Sequence, residues 1–104
     1  MPNSNYRAGR AFEYAVKKTL ERENYIVLRT AGSHGFADLV AIDPIPLEKV
    51  AFIQCKIVKT EAAMKSLVKK FKENPPLRKS PHWQCLLVVK IKGERGVKSH
   101  WFYV

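Results

Sequence analysis

The 104-residue sequence predicts an α/β domain in which helices flank a small, mixed central β-sheet of about five strands. Three observations predict it. Two segments carry apolar residues at helical spacing, five short segments are rich in β-branched and aromatic residues, and the elements follow the order α-β-β-β-α-β-β. The length fits a single domain over residues 1–104, and the 46% of apolar residues suffice for a packed core.

The predicted elements follow from local patterns. The first helix spans residues 6–23, where Phe12, Val16 and Leu20 form one apolar face. The second spans residues 61–72 and ends before two consecutive prolines. Five segments are predicted as strands: 25–30, 38–42, 50–58, 83–91 and 100–104. The third of these strands is apolar on both faces near its middle, so we expect it at the centre of the sheet.

The chain is strongly basic. Nineteen Lys and Arg residues stand against nine Asp and Glu residues, which gives a net charge of +10. Such a charge on a small domain implies a polyanionic partner, with nucleic acid as the leading candidate and an anionic membrane surface as the second. Residues 56–79 hold eight basic side chains and two acidic ones. This segment is either a solvated helix face or a surface that contacts phosphates.

Several classes of protein do not fit the sequence. No apolar run approaches the ~20 residues that cross a bilayer, and the first residues lack the apolar core of a signal peptide. Cys55 and Cys85 lie far apart without a CxxC spacing, so the sequence indicates neither a disulfide scaffold nor a structural zinc site. We therefore expect a cytoplasmic protein in a reducing compartment.

Polar residues within apolar strands are the candidates for chemistry. Asp38 begins the second predicted strand, and Gln54 and Lys56 share one face of the third. Glu13 lies on the first helix and could lie over them. Carboxylate, amide and main-chain oxygens, including the Cys55 carbonyl, are ligands that Mg²⁺ prefers. With a lysine beside them they predict metal-assisted hydrolysis of a phosphodiester.

The same residues have simpler interpretations. Asp38 could cap a loop end, Gln54 and Lys56 could face solvent on an edge strand, and Glu13 could be an ordinary surface residue of a helix. Composition and spacing leave these alternatives open.

Four stretches, taken together, resemble a known family. They are Arg-Ala-Gly at 7–9 followed by Glu13, Val-Leu-Arg-Thr-Ala-Gly-Ser-His-Gly at 27–35, Asp-Leu-Val-Ala at 38–41, and Phe-Ile-Gln-Cys-Lys at 52–56. In this order they resemble the archaeal-type Holliday junction resolvases of the PD-(D/E)xK nuclease superfamily. The resemblance covers residues 6–60 well, and the remaining chain agrees in its element order. It implies the restriction-endonuclease-like fold.

The resemblance also implies an activity. Such enzymes are Mg²⁺-dependent homodimers, with Mn²⁺ as a possible substitute ion, that bind four-way DNA junctions by shape and nick two opposed strands in recombination and repair. The apolar residues 86–89 and 101–103 are the expected subunit contact. Two alternatives remain: a PD-(D/E)xK endonuclease with another DNA substrate, and an inactive module that binds junctions.

The resemblance assigns roles to residues by position. Glu13, Asp38, Gln54 and Lys56 are the implied catalytic residues, and the implied metal ligands are Glu13, Asp38, Gln54 and the main-chain carbonyl of Cys55. Eight residues are expected to contact DNA: Arg7, Arg10, Arg29, Ser33, His34, Lys59, Lys65 and Lys69. The chain departs from the family at Gln54, where the family has Glu, and thereby loses one negative charge.

Overall fold

All seven predicted elements are present, in the predicted order. The computed structural model describes residues 4–30, 37–43, 50–78, 80–94 and 99–104, with side chains from residue 7 onward. The elements are α1 (Ser4–Arg22), β1 (Ile26–Arg29), β2 (Leu39–Ile42), β3 (Val50–Val58), α2 (Glu61–Glu73), β4 (Trp83–Ile91) and β5 (His100–Tyr103). The predicted bounds of the third and fourth strands are those observed, and the other bounds differ by at most two residues.

The five strands form one mixed sheet in the order β1-β2-β3-β4-β5. β3 and β4 run parallel, and each of the other neighbouring pairs is antiparallel. Parallel neighbours need a crossover, and α2 provides it between β3 and β4. β3 is the middle strand, as its apolar composition predicts.

The two helices cover opposite faces of the sheet. Val88 packs in the cluster under α1 with Phe12, whereas its neighbours Leu87 and Val89 pack in the cluster under α2. Because successive strand residues point to opposite faces, the two clusters lie on either side of β4. On β3, Ile53, Cys55 and Ile57 belong to the α1 cluster and Val58 to the α2 cluster. Gln54 and Lys56 therefore project toward the face that α2 covers.

The end of α1 sets the start of β1. Asn24 has a φ of +69°, in the left-handed region that Asn tolerates better than most residues. The N–H of Tyr25 donates to the Leu20 carbonyl and that of Asn24 to the Glu21 carbonyl, which is the Schellman arrangement. Tyr25 packs against the α1 cluster, which contains Leu20. This cap turns the chain directly into the first strand.

The start of α2 is capped by Thr60, two residues after the end of β3. The hydroxyl of Thr60 accepts a hydrogen bond from the N–H of Ala63 at 3.0 Å. This satisfies one of the free N–H groups at the helix start, and Glu61 in the first turn suits the helix dipole. The short β3–α2 connection holds the C-terminal end of β3 in a defined position.

The expectation that residues 86–89 form a subunit contact is wrong for three of the four; Leu86 is half-buried and packs against the α1 cluster. Leu87, Val88 and Val89 are completely buried within the chain, because β4 lies between two strands and both helices cover it. On β5, an edge strand, Phe102 packs under α2, whereas Trp101 and Tyr103 are 38% and 69% exposed. Among the residues expected to form the subunit contact, Trp101 and Tyr103 are the exposed ones that a partner could reach.

Two further expectations concern the cysteines and membranes. Cys55 and Cys85 are both free thiols, as their separation predicts. In the part of the chain that the structure describes, neither helix is long and apolar enough to span a bilayer.

Candidate active site

The Asp38 carboxylate lies where β2 and β3 separate. Leu39 is paired with Ile53, yet the N–H of Asp38 also donates to the Ile53 carbonyl, at 2.8 Å. Two residues of one strand thus oppose one residue of the other, which interrupts the ladder as a bulge does. Asp38 was predicted to begin the strand, but β2 begins at Leu39 for this reason. The Asp38 Oδ2 atom then accepts the N–H of Cys55 at 2.9 Å.

Thr30 holds the chain segment that carries Asp38. Its main-chain N–H donates to the Asp38 carbonyl at 3.0 Å. Its hydroxyl lies 2.6 Å from the carbonyl oxygen of Ala37 and 3.1 Å from that of Asp38. Thr30 was not among the site residues predicted from the sequence. Its position directly after the apolar run of β1 was the available signal, since polar side chains at strand ends often bond to the neighbouring main chain.

Glu13 is oriented by Arg29. The Arg29 Nε donates to Glu13 Oε1 at 3.1 Å, and both side chains are largely buried. The pair joins the middle of α1 to the end of β1, one position before Thr30. Charge-assisted hydrogen bonds of this kind fix the position of a carboxylate more firmly than contacts with neutral groups do.

Tyr14 adds an aromatic ring beside this ion pair. The guanidinium carbons of Arg29 and Arg10 lie 5.4 Å and 5.8 Å from its ring centre, within the range of cation–π contacts. A hydrogen bond from Arg10, followed by the positive charges of Arg10 and Arg29, lowers the pKa of the Tyr14 phenol. Two predicted DNA-contacting arginines are thus grouped around one ring that the sequence analysis did not assign to the site.

The Cys55 side chain reports the charge of the site. Burial raises the pKa of its thiol well above the ordinary value, and the negative charges of Asp38 and then Glu13 raise it further. The two carboxylates therefore act on the same point of β3. The free thiol is therefore protonated at neutral pH, and its side chain packs against the cluster under α1.

The donors at this corner suit a hard cation. In an antiparallel ladder the N–H and C=O of one residue point to the same neighbouring strand. The N–H of Cys55 is bound by Asp38, so its carbonyl oxygen faces the same side, where β2 has separated from β3. Among the described residues, no group of three or more His, Cys, Asp or Glu side chains is placed to hold a metal. A divalent ion here would use the Asp38 carboxylate with main-chain and amide oxygens, which fits Mg²⁺ rather than Zn²⁺.

Gln54 and Lys56 lie on either side of Cys55. Gln54 is half-buried and Lys56 is exposed. β2 and β3 are neighbours, but the Asp38 carboxylate is hydrogen-bonded to Cys55, the residue between these two, rather than to either of them. Gln54 and Lys56 project toward the α2 face, so Glu13 on α1 does not lie over them as expected. Within the ranges that the structure describes, no ion pair is recorded for Lys56.

The predicted DNA contacts are distributed over both faces. Arg7 and Arg10 are exposed on α1, Lys59 follows β3, and Ser33 and His34 lie outside the described residues. Lys65 and Lys69 lie on α2, where they pair with Glu61 and Glu73 at 3.5 Å and 3.9 Å. These two pairs are largely exposed, and acidic residues one turn away reduce the positive charge of the helix surface.

Comparison with known proteins bears on the fold. No protein-family model matches the sequence, and no curated protein matches it. The structure is similar to that of Hjc, a Holliday junction resolvase from the archaeal hyperthermophile Archaeoglobus fulgidus. The TM-score is 0.56 and the sequence identity 17%, over 92% of this chain and 72% of that chain. The fold is restriction-endonuclease-like. The α/β class and the mixed five-stranded sheet expected from the sequence are therefore confirmed.

Proposed function

We propose that this chain is a divalent-metal-dependent endonuclease that resolves four-way DNA junctions by paired nicks in opposed strands. One observation carries the proposal: the Asp38 carboxylate is held against the Cys55 N–H, at the strand separation of a fold similar to that of a resolvase. The net charge of +10 supports a polyanionic substrate. Such an enzyme would act in recombination and repair, in the cytoplasm where DNA is accessible.

Each polar residue of the corner has a proposed role. Asp38, Gln54 and the Cys55 carbonyl would hold Mg²⁺, or Mn²⁺ as a substitute, and Glu13 would contribute its carboxylate directly or through water. The bound ion would lower the pKa of its water and neutralise charge on the reacting phosphate. Lys56 is exposed and has the mobility to orient the attacking water or to approach the phosphate. Arg29, fixed by Glu13 and Tyr14, is positioned to contact a phosphate oxygen.

Paired nicks need two sites in a fixed relation, and a homodimer provides them. We propose that two copies associate and that the exposed Trp101 and Tyr103 of β5 take part in the contact. An edge strand with exposed aromatic side chains is a surface that a second copy could cover.

The test is a cleavage assay on a four-way junction labelled in turn on each strand. We expect nicks at symmetric positions in two opposed strands, only with Mg²⁺ or Mn²⁺ present, and retention of the junction against a large excess of plain duplex. Equal cleavage of duplex would instead favour an endonuclease with another substrate. A monomeric mass at the assay concentration would remove the basis for paired nicks.

Binding without cleavage is the second candidate function. Two observations favour it: Gln54 lacks the negative charge of an acidic ligand, and one oxygen of Glu13 is already bound by Arg29. This candidate predicts tight junction binding in Mg²⁺ and Mn²⁺ without any strand scission. It also predicts that Asp38→Ala leaves the affinity unchanged or raises it slightly, since a negative charge is removed from a basic surface.

A further inference from the structure

A groove lies at the carboxyl ends of the two parallel strands, on the side of the sheet where α1 begins. It has a volume of about 600 Å³. Its walls come from the first half of α1, from the end of β3 and the residues after it, and from the end of β4. In α/β sheets, crevices outside the carboxyl ends of the strands are the usual ligand positions. We refer to this space as the lysine groove.

The charge of the lysine groove has one sign. Its lining includes Lys59, Lys90 and Lys92, as well as Lys56, whose side chain projects toward the α2 face; among the described residues that line it, none is acidic. Lys90 lies opposite Ile57 in the parallel ladder, and the N–H of Lys92 donates to the Val58 carbonyl at 2.8 Å. The ends of the two strands therefore hold Lys59, Lys90 and Lys92 close together on the α1 side. Like charges placed this way repel one another, and a bound polyanion would relieve that repulsion.

The contrast with α2 makes the groove the better anion site. Lys65 and Lys69 each pair with a glutamate of their own helix. Within the described residues, no ion pair is recorded for Lys90 or Lys92. Charge clustering along the sequence favoured α2, whereas the fold brings together lysines from positions more than thirty residues apart.

The groove is continuous with the candidate active site. Cys55 and Lys56 line it, and the Cys55 N–H is the group that binds the Asp38 carboxylate. A strand whose scissile phosphate lies at Asp38 would therefore pass into the groove with its next phosphates.

We propose that the lysine groove binds the sugar–phosphate backbone of the DNA strand next to the scissile phosphate, with Lys90 and Lys92 as phosphate contacts. The inference rests on the proposed function and adds to it a defined path for the strand. Phe12 and Ile57 provide an apolar floor for the sugars, while lysines supply point charges for the phosphates.

Gly9 keeps one wall of the groove open. A Cβ added to Gly9 would meet no other atom within 4 Å, so a side chain is accommodated there without a clash. A longer side chain at this position would extend from the wall of the groove. Because Gly is a poor residue inside a helix, Gly9→Gln should also leave α1 at least as stable.

The first test removes charge. In Lys90→Gln/Lys92→Gln, we expect the slope of log affinity against log salt to fall by about 1.8, at ~0.9 for each phosphate contact. If the two proteins bind equally at 1 M salt, this slope change corresponds to a roughly 60-fold loss of affinity at 0.1 M salt. The matched control is Lys18→Gln/Lys72→Gln, which removes two exposed lysines outside the groove and should keep the wild-type slope. An unchanged slope in the groove variant, or an equal loss in both variants, would overturn the inference.

The second test fills the groove without changing charge. Gly9→Gln should weaken binding at least about tenfold while the thermal midpoint stays equal to or above that of the wild type. Wild-type affinity in this variant would show that no strand occupies the groove. Each titration is run on a four-way junction and on a single-stranded oligonucleotide. Failure of the wild type to prefer or cut the junction counts against the proposed function, whereas the single-stranded titration still decides whether the groove binds a strand.

Discussion

The Asp38 carboxylate accepts a hydrogen bond from the main-chain N–H of Cys55, at 2.9 Å. This contact replaces the hydrogen bond that β2 would have offered, because Asp38 and Leu39 both oppose Ile53. The ladder of main-chain hydrogen bonds between β2 and β3 ends at this point, and the Asp38 carboxylate serves as the acceptor for the next N–H of β3. A side chain whose position is set by the main chain of a central strand is well suited to hold a metal ion.

The residue before Cys55 provides a test of the metal site. Gln54→Glu restores a carboxylate, so cleavage should persist and the Mg²⁺ concentration for half-maximal rate should fall. We expect a shift of at least about tenfold, since a unit charge about 4 Å away contributes roughly 1–4 kcal/mol in water or at a protein surface. The measurement is the cleavage rate of the wild type and of Gln54→Glu over a titration with Mg²⁺. Loss of cleavage in a folded Gln54→Glu protein would contradict a ligand role for this position.

Thr30 is expected to act as a positioning residue for Asp38. Thr30→Val keeps the shape but removes the hydroxyl bound to the carbonyls of Ala37 and Asp38. Cleavage should slow while junction affinity stays unchanged, and the free energy of unfolding should fall by about 1 kcal/mol.

The matched control for this variant is Thr19→Val. Thr19 donates to the Ala15 carbonyl at 3.0 Å within α1, so its hydroxyl is satisfied in a similar way but outside the site. The two variants should differ in cleavage rate. If both cut at the wild-type rate, the Thr30 hydroxyl has no influence on the position of Asp38.

The Cys55 thiol should report the Asp38 charge through its reactivity. Burial first, and then Asp38 and Glu13, raise the pKa of this thiol, so its thiolate fraction is small and still increasing above pH 9. Asp38→Asn removes one of the charges and should lower that pKa, so alkylation of Cys55 should become a few-fold faster at a fixed alkaline pH. Cys85 is the internal reference, because burial alone raises its pKa. The ratio of Cys55 to Cys85 labelling is measured on peptides by mass spectrometry. An unchanged ratio would show that the Asp38 charge does not affect the pKa of the Cys55 thiol.

The helices and strands were predictable where the apolar pattern of a segment and the residues that flank it indicate the same bounds. β3 and β4 have strong apolar runs bounded by a helix cap or a proline, so their bounds follow from the sequence. The bulge-like start of β2 was not predictable, because it depends on how Asp38 meets Ile53 across two strands. The buried state of Leu87, Val88 and Val89 was also missed, since an apolar run alone does not distinguish a core strand from a subunit contact.

The candidate site was predictable in its residues more than in its contacts. The Asp38 and Cys55 positions follow from strand order, but the Arg29–Glu13 pair and the Tyr14 ring depend on how α1 packs over β1. The lysine groove could not be inferred from local charge, because the lysines that line it come from the ends of two strands that are distant along the chain.

The most direct test of the central claim compares the wild type with Asp38→Asn on a labelled four-way junction in Mg²⁺. Asparagine keeps an oxygen that can accept the Cys55 N–H but lacks the charge that attracts a metal ion. The account predicts equal junction affinity, symmetric nicks by the wild type, and cleavage at least about 100-fold slower in the variant, because metal-ion stabilisation of the transition state amounts to several kcal/mol. Cleavage by Asp38→Asn at the wild-type rate and metal dependence would contradict it.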